Sequence, residues 1–222
     1  MRFRAVLFDL WGTLVPLPKP LRYRATEAVA AALNVPLDKW VQAWGATRIE
    51  RETGDLEAIT LRICQELGLS ATEGAVANAL ACRISIQREA FDLIRSDAVP
   101  TLQALRENGV STGLISNCTS DLPYHIETSP LASVLDVCVY SCNERVMKPD
   151  ARLYHAAAER LRVTPKECLY VGDGSDGELL GAERTGMTAV LLSAADTPPR
   201  DWTGQRISAL SDVPRLLATL AA

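Results

Sequence analysis

From residue 95 to the end of the chain, short apolar runs alternate with helical patterns. The apolar runs predict strands at 111–116, 137–141, 167–171 and 188–192, and the patterns between and after them predict helices at 101–107, 151–161, 178–185 and 213–220. A further apolar run, Ala5-Val6-Leu7, predicts a strand near the N-terminus. Strands that alternate with helices favour a parallel sheet with helices on both faces.

Residues 16–94 have a different pattern, with helical periods and almost no strand signal. Four amphipathic helices are predicted at 21–33, 37–51, 56–67 and 72–94, separated by Pro36, Gly54 and Gly68. An insertion after the first strand lies over the carboxyl ends of the strands, where ligands bind in open α/β sheets. The sequence therefore predicts an α/β, Rossmann-like core at 1–15 and 95–222 with an inserted helical cap at 16–94.

The composition narrows the range of partners. The chain has 222 residues, is 48% hydrophobic and carries a net charge of −4, which does not favour nucleic acid or an anionic membrane as a partner. No apolar run approaches the roughly 20 residues of a membrane span, and the N-terminus, with Asp9 soon after Arg2 and Arg4, does not form a signal peptide. The six cysteines form no C-x-x-C pair. We therefore expect reduced thiols and a cytoplasmic location, and the sequence leaves the oligomeric state unknown.

Four polar segments stand in order at or near the ends of predicted strands. They are Asp9-Leu10-Trp11-Gly12-Thr13, Leu114-Ile115-Ser116-Asn117, Met147-Lys148-Pro149-Asp150 and Val171-Gly172-Asp173-Gly174-Ser175-Asp176-Gly177-Glu178. The first places a carboxylate after a buried strand, the second ends a strand in a hydroxyl, and the third puts a lysine just before a helix. The fourth ends a strand in an acidic loop.

These segments form a coherent chemical set. Asp9 can attack an electrophile such as phosphorus, while Ser116 and Lys148 can bind phosphoryl oxygens. Asp173 and Asp9 can hold Mg²⁺, a hard cation that takes one or two carboxylates and keeps several waters. The ion offsets the repulsion between an anionic nucleophile and an anionic small-molecule substrate.

On these four segments the chain resembles the haloacid dehalogenase-like (HAD) hydrolase superfamily, and the resemblance covers essentially the whole chain. It implies that Asp9 is the nucleophile and becomes an aspartyl-phosphate. It also implies that the backbone carbonyl of Trp11 is a metal ligand and that Thr13 supports the first loop. Gly12 and Trp11, together with Asn117, are expected to contact the substrate.

The resemblance assigns the remaining positions as well. Ser116 binds the phosphoryl group, and Lys148 stabilises the charge on the nucleophile and the phosphate. Asp173 is the metal carboxylate. The second acid of the fourth motif falls on Glu178, with Asp176 as the alternative, and the longer Glu side chain can instead orient a metal-bound water.

Trp11 departs from the phosphatase pattern. Phosphatases of the superfamily carry a second Asp at this position as general acid and base, dehalogenases carry Tyr, and an indole cannot transfer the proton. Gly172-Asp173 nevertheless resembles the metal-binding phosphatase motif. The sequence thus predicts a Mg²⁺-dependent hydrolase of a small organic phosphate. The alternatives are a 2-haloacid dehalogenase acting through an aspartyl ester and a non-catalytic phosphate- or metabolite-binding protein.

Four cap residues recur at helical spacing: Trp40, Trp44, Arg48 and Arg51. The spacing favours core positions for the tryptophans and a solvated face for the arginines. The alternative is that Arg48 or Arg51 reaches a substrate anion. At the third segment, Asp150 is expected to cap the following helix.

Overall fold

The computed structural model describes residues 3–16, 18–196 and 200–221, and these contain one parallel sheet. Its strands are β1 (Ala5–Phe8), β2 (Ser111–Ser116), β3 (Val137–Tyr140), β4 (Cys168–Gly172), β5 (Thr188–Leu192) and β6 (Gln205–Ile207). The order across the sheet is β3-β2-β1-β4-β5-β6. The α/β, Rossmann-like fold predicted from the sequence is confirmed.

The strand order reverses direction at β1, which lies between β2 and β4. Phe8 at the end of β1 is in register with Leu114 on β2 and Val171 on β4. The segments that follow these three strands therefore emerge side by side at one edge of the sheet. In an open α/β sheet this reversal point is where a ligand crevice forms.

Helices cover both faces of the sheet. The helices outside the predicted cap are α6 (Ala98–Glu107), α7 (Leu122–Glu127), α8 (Ser141–Glu144), α9 (Ala151–Arg160), α10 (Glu178–Arg184) and α11 (Val213–Ala221). Buried residues of α6 and α11 share one apolar cluster with the sheet, and those of α9 and α10 share a second. Asp150 caps α9 as predicted, since its side chain accepts a hydrogen bond from the Arg152 N–H.

Five helices stand between β1 and α6. They are α1 (Lys19–Ala32), α2 (Leu37–Ala46), α3 (Arg48–Thr53), α4 (Leu56–Glu66) and α5 (Glu73–Phe91). Four of them, α1, α2, α4 and α5, share a separate apolar cluster that includes Trp40, Ile63 and Val76. Within the described part of 16–94, no residue belongs to a strand of the sheet. The division into cap and core domains stays a prediction.

The structure differs from the predicted elements in two informative places. The helix predicted at 37–51 is two helices, because the chain leaves helical geometry at Thr47, whose hydroxyl donates to the carbonyls of Ala43 and Trp44. β6 was not predicted, since only one of its three residues is buried and the apolar signal is weak. The short helices α7 and α8 were not predicted either.

Two further predictions concern the thiols and the membrane. All six cysteines lie in the described part of the chain and are free thiols; Cys82 is exposed and Cys138 is half-buried. The Sγ atoms of Cys118 and Cys142 lie 4.0 Å apart. Among the described helices, none combines the length and the apolar character required to cross a bilayer.

Candidate active site

Asp9 stands one residue beyond β1 and is almost fully buried. Its backbone N–H donates to the Val171 carbonyl at 2.9 Å, which continues the pairing of β1 with β4. Its carboxylate accepts two hydrogen bonds, from Lys148 Nζ to Oδ1 at 2.5 Å and from the Thr13 hydroxyl to Oδ2 at 3.1 Å. Sheet, lysine and threonine together fix the orientation of this carboxylate.

The loop after Asp9 turns at Gly12, whose φ is +86°. A Cβ at Gly12 would come within 3.0 Å of Asp173 Oδ2, so the glycine lets the first and fourth segments approach each other. The Arg95 guanidinium holds the same loop by donating to the carbonyls of Gly12 at 3.0 Å and Thr13 at 2.8 Å. Gly12 thus serves the backbone geometry of the site.

We expect Gly12→Ala to lower turnover by about 10²-fold, because the new methyl group would displace the Asp173 carboxylate. The left-handed backbone adds about 1 kcal/mol of strain. Gly68→Ala is the matched control, since Gly68 has a φ of +74° and a methyl group added there would meet no atom of the described residues within 4 Å. Steady-state kinetics and thermal unfolding of both variants check this. Equal activity in the two variants would contradict the role of Gly12.

Lys148 is the centre of a buried hydrogen-bond network. Its Nζ lies 2.6 Å from Glu178 Oε2 and 3.1 Å from the Tyr170 hydroxyl, in addition to its bond to Asp9. It also donates to the Ile115 carbonyl at 3.2 Å. The predicted catalytic lysine therefore reaches the predicted nucleophile and joins it to the fourth segment.

Glu178 is fully buried, and both of its carboxylate oxygens have partners. Oε2 accepts from Lys148 and from the Tyr170 hydroxyl at 2.7 Å, and Oε1 accepts from the Gly174 N–H at 3.0 Å. Tyr170 was not predicted as a site residue from the sequence. Its position inside an apolar strand could have indicated this role, because a buried phenol needs a hydrogen-bond partner.

The electrostatics of the network favour an additional cation. Burial raises the pKa of Asp9 and of Glu178, although the Lys148 ammonium opposes both shifts. Burial lowers the pKa of Lys148, but the two carboxylates outweigh it and raise that pKa on balance. With Asp173, which lies 3.6 Å from Arg200, three buried carboxylates cluster beside one buried ammonium. Burial of excess like charge is unfavourable unless a counter-ion compensates it.

Ligand atoms of Asp9, Asp173 and Glu178 all lie within 4.8 Å of one another. Asp173 Oδ1 accepts from the Ser175 N–H at 2.9 Å, and its Oδ2 lies 3.6 Å from a guanidinium nitrogen of Arg200. Carboxylate oxygens are hard donors of the kind that Mg²⁺ takes. The donor set therefore fits this ion.

The second segment contacts the third and fourth segments through Asn117. Asn117 Oδ1 accepts from the Lys148 N–H at 2.7 Å, and its Nδ2 donates to Asp176 Oδ2 at 3.0 Å. The Ser116 hydroxyl is fully buried and lies 3.4 Å from the Asn117 carbonyl, and Ser116 does not line the cavity described below. Phosphoryl binding by Ser116 stays a prediction.

Trp11 is half-buried beside the nucleophile. Its ring packs edge-on against Phe91, with 5.8 Å between ring centroids. Phe91 is the last residue of α5, so Trp11 joins the first loop to this helix.

A cavity of about 850 Å³ lies between α1–α5 and the sheet edge. Its lining includes Asp9, Trp11, Asn117, Lys148 and Asp173 from the predicted site, and Trp44, Arg48 and Arg51 from the cap helices. Trp40 is core, as predicted, and Arg48 is exposed. The solvated face expected for Arg51 is wrong: Arg51 is only 5% exposed and donates to the Trp44 carbonyl.

Comparison with known proteins identifies the family of the chain. The family model described as haloacid dehalogenase-like hydrolase matches residues 3–186. The (S)-2-haloacid dehalogenase 1 of Pseudomonas sp. (strain CBS-3) is 33% identical over 128 residues, which cover 56% of each chain, so the match spans about half of that relative. Phosphatase MT3486 of Mycobacterium tuberculosis is 28% identical over 218 residues, covering 96% of this chain and 97% of that protein.

A solved structure shares the fold over nearly its whole length. The 2-haloacid dehalogenase from Pseudomonas syringae pv. Tomato DC3000 aligns with a TM-score of 0.80 and 20% identity, covering 98% of this chain and 99% of that one. The match to the family model defines the class of the chain as a hydrolase. The chain belongs to the haloacid dehalogenase-like hydrolase family, whose model it matches over most of its length.

Proposed function

We propose that this enzyme is a Mg²⁺-dependent phosphatase that acts on a small organic phosphate through an aspartyl-phosphate on Asp9. The buried cluster of Asp9, Asp173 and Glu178 carries the proposal, because it offers hard oxygen ligands and an uncompensated negative charge beside the nucleophile. The similarity to phosphatase MT3486 over most of both chains supports it.

In the proposed first step, a carboxylate oxygen of Asp9 attacks phosphorus. The bond between phosphorus and the ester oxygen breaks, and the alkoxide or aryl oxide leaves with that electron pair and takes its proton from water. Water then attacks the aspartyl-phosphate, which restores Asp9 and releases inorganic phosphate. Lys148 orients the attacking carboxylate and neutralises charge on the transferring group. Thr13 fixes the second carboxylate oxygen of Asp9.

The carboxylates divide into two roles in this proposal. Asp9 and Asp173 would hold Mg²⁺, with the Trp11 carbonyl as the third protein ligand implied by the family resemblance. The bound ion would supply charge neutralisation for the phosphoryl group. Glu178 acts mainly through Lys148, because its Oε2 bonds to Lys148 and, unlike Asp9 and Asp173, Glu178 does not line the cavity.

We expect Asp173→Ala to abolish Mg²⁺ binding measured by calorimetric titration, and turnover with it. The reason is that the variant removes a carboxylate whose ligand atom lies within 4.8 Å of one from Asp9. Asp196→Asn is the control, since it alters a half-exposed carboxylate of the same cavity that pairs with Arg95 instead. Unchanged Mg²⁺ affinity in Asp173→Ala would rule out the proposed site.

A second candidate function is dehalogenation of a small 2-haloacid, in which Asp9 attacks carbon and forms an ester that water hydrolyses. The observation in its favour is Trp11, which places an aromatic residue where phosphatases of the superfamily carry the acid. Assays of phosphomonoesters and 2-haloacids, each with Mg²⁺ and with EDTA, separate the two functions. Phosphate release that stops with EDTA supports the phosphatase, and halide release that EDTA does not affect supports the dehalogenase.

We also propose that residues 16–94 form a cap that closes over this site. The separate apolar cluster that α1, α2, α4 and α5 share, and the cavity between these helices and the sheet edge, support this division.

A further inference from the structure

The cavity is more basic than the protein around it. Eight basic and six acidic side chains line it, although the whole chain has a net charge of −4. Five of the basic residues, Arg48, Arg83, Arg95, Lys148 and Arg200, form ion pairs with carboxylates. The other three are Lys19, Arg22 and Arg51, and only Arg51 is buried.

Arg51 is a buried cation that lacks an anionic partner within the described part of the chain. Its Nε lies 3.3 Å from the Thr47 hydroxyl, and its Nη2 donates to the Trp44 carbonyl at 2.6 Å. In the described ranges, no carboxylate forms an ion pair with it. Burial lowers the pKa of Arg51 to about 10. A guanidinium removed from water is stabilised by an anion that accepts its free N–H groups.

The helix that carries Arg51 is fixed over the catalytic residues. Arg48, one turn earlier on α3, donates to both carboxylate oxygens of Asp176, at 3.0 and 2.5 Å. Asp176 in turn accepts from Asn117, which binds the Lys148 backbone. The Ser141 hydroxyl also donates to the Glu52 carbonyl on α3. The position of Arg51 relative to Lys148 is therefore set by a continuous hydrogen-bonded path.

A second arginine shares the same wall. The guanidinium carbon of Arg51 lies 3.7 Å from the Trp44 ring centroid, and that of Arg83 lies 5.6 Å from it. Arg83 forms an ion pair with Asp121 and donates to the Thr119 hydroxyl at 3.2 Å. Two buried guanidiniums thus lie against the Trp44 ring. Among the described residues, Asp121 is the single carboxylate that pairs with either of them.

His125 supplies an independent observation on this cavity. It is 2% exposed and lines the cavity, and neither Nδ1 nor Nε2 has a hydrogen-bond partner among the described residues. Its ring stacks on Phe91 with 5.2 Å between centroids. Buried polar atoms are usually satisfied, so this imidazole also indicates a polar ligand.

We propose that Arg51, assisted by Arg83 and His125, binds a second anionic group of the substrate, so that the preferred substrates are small phosphate esters that also carry a carboxylate or a second phosphate. The proposal rests on the proposed function for the identity of the group at Asp9. Arg51 is then a specificity-determining residue: it binds the part of the substrate that does not react.

Equilibrium binding of non-hydrolysable ligands tests this without turnover. The probes are ω-phosphonocarboxylates with one to three methylene groups, each compared with the alkylphosphonate in which a methyl group replaces the carboxylate. Titration of the wild type in Mg²⁺ should show that at least one phosphonocarboxylate binds about tenfold or more tightly than its matched alkylphosphonate. The same comparison with bisphosphonates of matched length distinguishes a second phosphate from a carboxylate.

Three variants test whether Arg51 causes the preference for phosphonocarboxylates over alkylphosphonates. Arg51→Met should abolish the preference while the affinity for alkylphosphonates changes less than about threefold. Arg51→Lys, which keeps the charge and loses the bidentate fork, should retain part of it. Arg22→Met is the matched control, because it removes an exposed positive charge from the same cavity and should leave the preference intact. Thermal unfolding shows whether each variant is folded.

The outcomes separate this inference from the proposed function. Equal wild-type affinity for the two ligands of every pair, or no binding of either, overturns the inference, and so does an equal loss for both ligands in Arg51→Met. A preference that depends on Arg51 in an enzyme that releases no phosphate from phosphomonoesters supports the inference and overturns the proposed function. Phosphatase activity without any preference supports the proposed function and overturns the inference.

Discussion

Replacement of Asp9 by Asn is expected to lower turnover by about 10⁴-fold or more while the protein stays folded. The amide matches the carboxylate in shape: its oxygen can accept from Lys148, and its NH2 group can donate to the Thr13 hydroxyl oxygen. It lacks the negative charge that makes Asp9 a nucleophile and that pairs with Lys148. Product release assayed with a sensitive phosphate or halide method, whichever substrate is active, measures the effect.

Asp196→Asn is the control for this experiment. Asp196 lines the same cavity, but its side chain is 48% exposed, and we expect its variant to stay within about threefold of wild-type turnover. Circular dichroism and thermal unfolding show whether Asp9→Asn keeps its fold. Substantial activity in a folded Asp9→Asn protein would exclude Asp9 as the nucleophile in both candidate functions.

Trp11 is expected to make phosphate-ester hydrolysis depend steeply on the leaving group. General acid–base catalysis contributes about 10²–10⁴-fold, and the indole of Trp11 cannot supply it. An alkoxide leaves poorly without a proton, whereas an aryl oxide leaves without one. Rates for a series of aryl phosphates should therefore fall strongly as the leaving-group pKa rises, and alkyl phosphates should be the slowest.

Two variants at Trp11 separate its chemistry from its packing. Trp11→Asp restores a carboxylate and should flatten the dependence on leaving-group pKa. Trp11→Phe keeps an aromatic contact with Phe91 and still lacks an acid, so it should retain the steep dependence. A flat dependence in the wild type, with rapid turnover of alkyl phosphates, would show that another group supplies the proton.

The segments that the sequence singled out do converge in space. Lys148 bonds to both Asp9 and Glu178, and Asp173 lies beside them, because parallel strands bring their carboxyl ends to one edge. The roles of these residues stay predictions, since adjacency does not establish chemistry. Ser116 shows the limit: it ends β2 as expected, yet its side chain does not line the cavity.

Sequence alone determined the features that depend on local patterns. Apolar runs and helical periods predicted the core strands except β6, the cap helices and the placement of the four polar segments at the strand ends. β6 was missed because only one of its three residues is buried, which gives too weak a strand pattern. The break at Thr47 was missed because a single residue outside helical geometry leaves the 3.6-residue period of the apolar residues intact.

Only the tertiary structure decided the partners of the buried polar groups. Arg48 and Asp176 stand 128 positions apart, and their contact fixes α3 over the site. Tyr170 lies in a strand that is buried throughout, and its role follows only from the approach of Glu178. Arg51 is buried against the Trp44 ring, a contact that helical spacing alone did not predict. Periodicity specifies which face of an element is apolar, but the group that meets a given polar side chain depends on how distant elements pack.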